Sequence, residues 1–495
     1  MHVHRDARPV RFGPFQLDPH RRVLTHEGIP VELKDRQLDV LVVLVSRAGE
    51  LVTKEALTAA VWPDVAVTDN SLAQAVARLR RALGMQSDGA PYIETRVGRG
   101  YRFVAPLATD DVPRIDSPLD ALMDPHRAFY EGRAALERLE CAGGHQARDA
   151  FASVVRVHPD DAAAHTGLAN ALALAYEATR ADSAPDHVGL ARADQHARTA
   201  VRLAPDSAEA WSTFAFVQHR RGATGDALAA ARRAVTLEPD YWRHHLRVAS
   251  VSWGEDRLHA ARAALRLNPD LALAHWFVAT VCVARQQMDR ALAAVQAGCD
   301  AQDAQRRAGS RYGAVGLHLL HGLLLAAADD VAAAHAALAH ELTFDAPDHV
   351  YARECAANTW YAIGALHLRD GAEAEARAAF DQAIARVPGH PLATMARGGE
   401  PTTGGAADGA SVAFGAAGTR ALDAASLGVD AAIALGASLV RRGCHAAAAR
   451  LCGEALVHAE PGQGGWILPV EPLLHVSARR ETWASALATL RARAL

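Results

Sequence analysis

Apolar and polar residues alternate in short runs from Val10 to Val31. Val10-Arg11-Phe12 and Phe15-Gln16-Leu17 predict strands, and Asp18-Pro19 and Glu27-Gly28 predict turns. At Lys34 the period changes. Leu38, Leu41, Val42 and Val45 recur at helical spacing, and Gly49 ends that helix. Thr53 is a good N-cap for a second helix running through Trp62, where Pro63 stops it. Thr68, Asp69 and Asn70 are candidate caps for a third helix that ends at Leu83-Gly84. Tyr92–Thr95 and Tyr101–Val104 flank Gly98-Arg99-Gly100 and predict a hairpin. The order is strands, three helices, hairpin. Pro106, Pro113 and Pro118 then mark a linker.

Beyond the linker the pattern is helical almost throughout and it repeats. Pro159, Pro205, Pro239 and Pro269 each follow an Ala-rich segment. The step from Pro205 to Pro239 is 34 residues, from Pro239 to Pro269 it is 30, and from Pro159 to Pro205 it is 46. The excess in the last step is expected around Arg180 to Val188. Trp211, Ala215, Ala227, Ala234 and Pro239 form one unit, and Trp360, Gly364, Ala376, Phe380, Ala383 and Pro388 a second. The aromatic early in the first helix, the small residues where two helices touch and the closing Pro resemble the tetratricopeptide repeat. Units at Gly322 to Pro347 and Gly436 to Pro461 keep only the small-residue skeleton. These small residues let helices approach closely and carry no chemistry.

The third helix has two faces. At about 100° per residue, Leu72, Val76, Leu79 and Leu83 share one side with Ala75 and Ala82 beside them. Asn70, Gln74, Ala77, Arg78 and Arg81 lie opposite, and Arg80 sits to one side. Amide and guanidinium groups on a helix backed by leucines suit the DNA major groove: Asn or Gln can bond adenine, Arg can bond guanine, and Ala can meet a thymine methyl. Arg80 is placed for a phosphate. Charge supports this. Residues 1–106 hold 15 Lys+Arg and 12 Asp+Glu, a net +3, which leaves −7 on the rest of a chain whose total is −4. A small basic module joined to a larger acidic body points to nucleic acid at one end only.

Together, Leu51-Val52-Thr53-Lys54-Glu55-Ala56-Leu57, Val61-Trp62-Pro63, Asn70-Ser71-Leu72, Ala77-Arg78-Leu79-Arg80-Arg81-Ala82-Leu83-Gly84 and Thr95-Arg96-Val97-Gly98-Arg99-Gly100-Tyr101-Arg102-Phe103 make residues 9–106 similar to the winged-helix domain of OmpR/PhoB-type transcriptional regulators. The resemblance implies that the helix from Ser71 to Leu83 is the recognition helix. It implies that the hairpin around Arg99 is the wing in the minor groove, and that Pro63, Asp64, Val65 and Thr68 belong to a loop that contacts RNA polymerase. The wing reads Arg96-Val97 where many relatives place an apolar residue and then a basic one, so Arg96 and Arg99 are both candidates for the minor groove. Candidate DNA-binding residues are therefore Asn70, Ser71, Gln74, Ala77, Arg78, Arg80, Arg81, Arg96 and Arg99. With only the few residues ahead of residue 9, no receiver domain is expected before the winged helix. Binding as a dimer, or in tandem on direct repeats, is expected because linked modules gain effective concentration.

Composition narrows the rest. Half of the 495 residues are apolar but only 5% are aromatic, which favours helices over a sandwich or barrel. The start has no apolar signal segment, and the run from Gly313 to Ala328 carries His318 and His321 and is too short to span a membrane. The six cysteines form no CxxC, so a reduced, cytoplasmic setting is expected. Neither a phosphate loop nor a nucleophile elbow occurs, and no catalytic residue or cofactor is assigned. His244-His245, the pair His318/His321, and Cys444-His445 with Cys452 have no metal-ligand spacing, so no metal is expected. The fold class expected is mainly α: an N-terminal α+β winged helix-turn-helix domain (9–106), a linker (107–120), and an α-helical tetratricopeptide-like solenoid (121–397). A Gly/Ala-rich loop (398–420) and a degenerate repeat with a C-terminal capping helix (421–495) complete it. The function expected is a one-component regulator whose repeat groove receives a protein or small-molecule effector. The rival is a repeat scaffold whose winged helix contacts protein.

Overall fold

Four short strands, β1 (Val10–Phe12), β2 (Phe15–Asp18), β3 (Val23–His26) and β4 (Ile29–Val31), form an antiparallel meander. The register pairs Phe12 with Phe15 and Leu17 with Leu24. Phe12, Leu17 and Leu24 are all buried on the inner face, as the period of two requires. This is the chain's computed structural model, and it describes residues 10–18, 23–27, 29–31, 33–61, 69–86, 89–96, 99–107, 132, 139–308, 313–346, 348–398, 428–460 and 462–495. The chain divides into two compact units. One is Met1–Glu137 with Gln146–Leu168 and His196–Ala210; the other is Arg138–His145 with Ala169–Gln195 and Trp211–Leu495.

In the first unit the meander leads to α1 (Asp35–Ser46), β5 (Val52–Thr53), α2 (Lys54–Val61), α3 (Asp69–Leu83), β6 (Ile93–Arg96) and β7 (Gly100–Phe103). β7 lies between β5 and β6 in a second antiparallel sheet. Thr53 caps α2 by accepting from the Ala56 N–H at 3.1 Å. The buried stripe of α1 is Leu38, Leu41 and Val45, widened by Val40 and Leu44. Val42, expected inside, is only half-buried: it lies a full 100° round from Leu41, at the flank of the stripe. Phe12, Phe15, Tyr92 and Phe103 form an aromatic cluster, with Phe12 and Phe103 5.0 Å apart and Phe15 and Tyr92 5.5 Å apart. These edge-on pairs fasten the first sheet to the hairpin. Pro19, Gly28, Trp62, residues 108–120 of the linker and residues 399–420 of the Gly/Ala-rich stretch fall outside the described residues.

The remainder is helical. The described residues contain seven helix pairs, from Ala162–Thr179 with His187–Leu203 to Val429–Arg441 with His445–His458, and the short helix Pro391–Arg397 lies in sequence between the last two. Helices end at Val157, Leu203, Leu237, Leu267 and Arg386, each two residues before a Pro that cannot continue them. The irregular steps have a simple origin. In the long one, the helices have 18 and 17 residues against 13 and 14 in the regular unit, and the turn between them is longer as well. The excess expected as one insertion is thus spread over both helices and the turn. In the short step the first helix has only 10 residues. In three of the hairpins the small residue in the first helix meets the residue sixteen positions on. A Cβ on Gly364 would lie 2.6 Å from the Phe380 ring, one on Gly322 2.7 Å from Leu338, and one on Gly436 3.0 Å from Cys452 Sγ. The architecture is mainly α: a winged domain followed by a tetratricopeptide-like array. No helix among the described residues is long and apolar enough to cross a membrane.

The last helix, Arg480–Arg493, covers the final hairpin and also bridges back to an earlier one. Arg493 donates to the carbonyls of Leu456 and Ala459 at 3.0 and 2.9 Å. Arg285 and Gln286, at the end of Ala272–Ala284, donate to the carbonyls of Ala494 and Leu487, both at 2.9 Å.

His390 stands at the N-cap of Pro391–Arg397. Its Nδ1 accepts from the Ala393 N–H at 3.1 Å, and its Nε2 faces Asn358 Oδ1 at 3.1 Å. Burial holds the ring neutral and lowers its pKa to about 4. In the unfolded chain the ring takes up its proton near pH 6.5. Between these values the unfolded state binds more protons, so stability falls as pH falls. The contribution is fully present above about pH 6.5, and about 3 kcal/mol of it is lost by about pH 4. Asn at position 390 retains a capping acceptor but does not titrate. In urea unfolding at the two pH values, His390→Asn is expected to show a correspondingly smaller acid loss than the unsubstituted chain.

Candidate nucleic-acid interface

The interface is built on α3 and the β6–β7 hairpin. Leu72, Ala75, Val76, Leu79 and Leu83 are buried and seat α3 on the domain core. Gly84, with φ +65°, ends the helix and donates to the Arg80 carbonyl at 2.9 Å. The opposite face presents Gln74, Ala77, Arg78 and Arg81, all exposed. Asn70 and Ser71 lie in the first turn of α3, but their side chains, like Pro63, Asp64, Val65 and Thr68, fall outside the described residues.

The hairpin owes its position to Gly100. Its φ is +152°, and a Cβ there would lie 2.1 Å from the Val52 carbonyl oxygen. Only glycine lets β7 approach β5 at this point. The turn is closed by the Arg99 N–H donating to the Arg96 carbonyl at 2.9 Å. Arg99 is exposed at the tip; Val97 and Gly98 fall outside the described residues.

The five arginines differ in their surroundings. Among the described residues, the side chains of Arg78, Arg81 and Arg99 have no ion pair or hydrogen bond. Arg96 pairs with Glu94 at 3.3 Å, so part of its charge is neutralised. Arg80 is turned inward: its Nε and one terminal nitrogen donate to the Ile93 carbonyl at 3.0 and 2.8 Å, and the same terminal nitrogen reaches Thr95 Oγ1 at 2.6 Å. Sequence spacing puts Arg80 beside the exposed arginine face. Its fold partner is β6, and it ties the helix to the hairpin so that the two cationic elements keep one spacing. That role depends on a strand ten or more residues away, and no local pattern carries it.

Residues 28–103 match the family described as "Transcriptional regulatory protein, C terminal". The transcriptional regulator HilA of Salmonella typhimurium is 39% identical over 102 residues, which are 21% of this chain and 18% of HilA. The match therefore spans under a fifth of that relative. Among solved structures, the DNA-binding domain of Escherichia coli CadC is covered over 98% of its length and 21% of this chain, with 28% identity and a TM-score of 0.19. A tetratricopeptide repeat protein from Parabacteroides merdae is covered over 98% of its length and 56% of this chain, with 13% identity and a TM-score of 0.40. Buried leucine stripe, exposed arginine face, glycine-dependent hairpin and family match converge: the N-terminal segment is a winged-helix domain of the OmpR/PhoB type found at the C terminus of transcriptional regulatory proteins.

Proposed function

We propose that this chain is a DNA-binding transcriptional regulator, with α3 in the major groove and the β6–β7 hairpin in the minor groove. One observation carries the reading: three exposed guanidinium groups without partners among the described residues, Arg78, Arg81 and Arg99, project from a helix and a hairpin tip of one domain. Arg78, Arg81 and Gln74 read base edges, and Ala77 meets a thymine methyl. Arg99 enters the minor groove, while Arg96, shared with Glu94, supports it. Arg80 braces the helix and retains one terminal nitrogen for a phosphate. Asn70 and Ser71 contact DNA from the first turn of α3, and the segment with Pro63, Asp64, Val65 and Thr68 contacts RNA polymerase. The helical array receives a protein or small-molecule signal, and the chain acts as a dimer or in tandem on direct repeats.

The test is selection of bound duplexes from a random pool by the full chain, followed by a salt titration on the enriched sequence. A shared motif is expected, with affinity falling steeply with salt as phosphate counterions are released. A pool without enrichment, or binding insensitive to salt, would overturn the reading in favour of protein contacts by this domain.

A further inference from the structure

Three consecutive helices of the array converge on one cluster. Met288–Arg307 supplies Asp303, Leu317–Ala327 supplies His318, and Val331–Glu341 supplies His340. Asp303 Oδ1 is 3.2 Å from His318 Nε2 and 3.1 Å from His340 Nε2. The three ligand atoms all lie within 4.8 Å of one another. An ion with tetrahedral bonds of about 2.0–2.1 Å holds neighbouring ligand atoms roughly 3.4 Å apart, so both measured separations are within a few tenths of an ångström of that spacing.

The surroundings hold these groups in place. One sequence neighbour of each, Gln302 beside Asp303 and Glu341 beside His340, anchors the backbone that carries His318. Gln302 accepts from the Leu317 N–H at 3.0 Å. The buried Glu341 carboxylate accepts from the N–H groups of Gly316 at 2.7 Å and His318 at 3.0 Å, and Gln302 Nε2 donates to it at 3.2 Å. Gln302 and Glu341 thus fix the start of the His318 helix from the buried side, while Asp303 and His340 meet its imidazole from the accessible side. Phe344 stacks on His318 at 5.9 Å and meets His340 edge-on at 5.7 Å, walling one side of the cluster. Ligands whose orientation is set by such outer contacts lose little freedom when an ion binds.

From this geometry we infer that Asp303, His318 and His340 form a binding site for a divalent transition-metal ion, with zinc as its best-suited member. Two imidazoles and one carboxylate select ions of borderline softness over magnesium or calcium. A water, or the second oxygen of Asp303, completes the four ligands. In the free protein the two Nε2–H groups donate to Oδ1; on binding, each Nε2 proton leaves, to Nδ1 by tautomerisation or to solvent, and the lone pairs of the same three atoms bind the ion. Cys299 and His321 also lie within 4.8 Å of a His318 nitrogen and of each other, so two further donors border the site. The ion would clamp three helices drawn from two successive hairpins. Residue order shows the pair His318/His321 but no partner, because Asp303 and His340 lie 15 and 22 residues away along the chain.

The test uses the full chain, stripped with a chelator, dialysed and titrated with zinc by calorimetry, with magnesium as the hard-ion comparison. His340 is exposed, so His340→Ala leaves the hairpin intact; Asp303→Asn keeps the side-chain volume. The unsubstituted chain is expected to bind one more zinc equivalent than the double variant. Either single variant should bind that equivalent at least about tenfold more weakly. Zinc should raise the melting temperature of the unsubstituted chain more than that of either single variant or the double variant, and magnesium should not compete. Equal zinc stoichiometry and affinity in all forms, or no zinc bound by the unsubstituted chain, overturns the assignment. The readout is metal affinity, so its failure leaves the DNA-binding proposal standing.

Discussion

Replacing Arg78 and Arg81 together by alanine is expected to abolish sequence-specific DNA binding while the domain stays folded. Each guanidinium that bonds a base contributes about 1–3 kcal/mol of discrimination, so the pair accounts for roughly a 30-fold to 10⁴-fold loss of affinity for the selected site. Non-specific binding should fall much less, because it rests on phosphate contacts. Both side chains are exposed on the face opposite Leu72, Val76 and Leu79, so their removal opens no cavity. Circular dichroism and the melting temperature should match those of the unsubstituted chain. Arg80→Ala makes the contrast. It removes the hydrogen bonds to the Ile93 carbonyl and Thr95 and is expected to lower stability by about 1–3 kcal/mol before any effect on DNA is considered. If the Arg78/Arg81 variant protects the selected sequence as the original chain does, the reading face lies on another side of α3.

The second large effect is expected at the other end of the chain. Trp483 is fully buried in the core that also holds Cys452, Leu456 and Leu474. Trp483→Ala should cost about 3–5 kcal/mol in urea unfolding of the full chain, from lost transfer free energy plus the cavity left behind. The cost should extend beyond the last hairpin, because the same helix accepts hydrogen bonds from Arg285 and Gln286. Trp483→Phe should cost far less. It keeps much of the ring volume, and it removes a buried indole N–H that has no hydrogen-bond partner among the described residues. A loss below about 1 kcal/mol for the alanine variant would mean that this helix does not close the array.

Much of the fold is legible in residue order alone. The α3 stripe of Leu72, Val76, Leu79 and Leu83 is a local signal, set by the 3.6-residue period, and the buried face is that same set. Thr53 as a cap, Gly84 as a stop and the prolines two residues beyond the helix ends are local too, because each acts through its own φ or its own hydrogen bond. The exposed arginine face of α3 follows from the same period, with no knowledge of what it packs on.

Other features arise only where distant elements meet. Nothing near Arg80 reveals that β6 will take its guanidinium, and nothing near His318 reveals Asp303 and His340. Val42 fits a helical period as well as Leu44 does, and only the neighbouring elements select which of them is buried. The last helix reads as a simple cap, yet its carbonyls also serve Arg285 and Gln286, about two hundred residues upstream. Backbone geometry ties neighbours in the chain to a fixed angle and rise, so patterns within one element can be read from residue order. Contacts between elements depend on helix lengths and separations that a change of a few residues, as in the units closing at Pro205 and Pro269, is enough to reset.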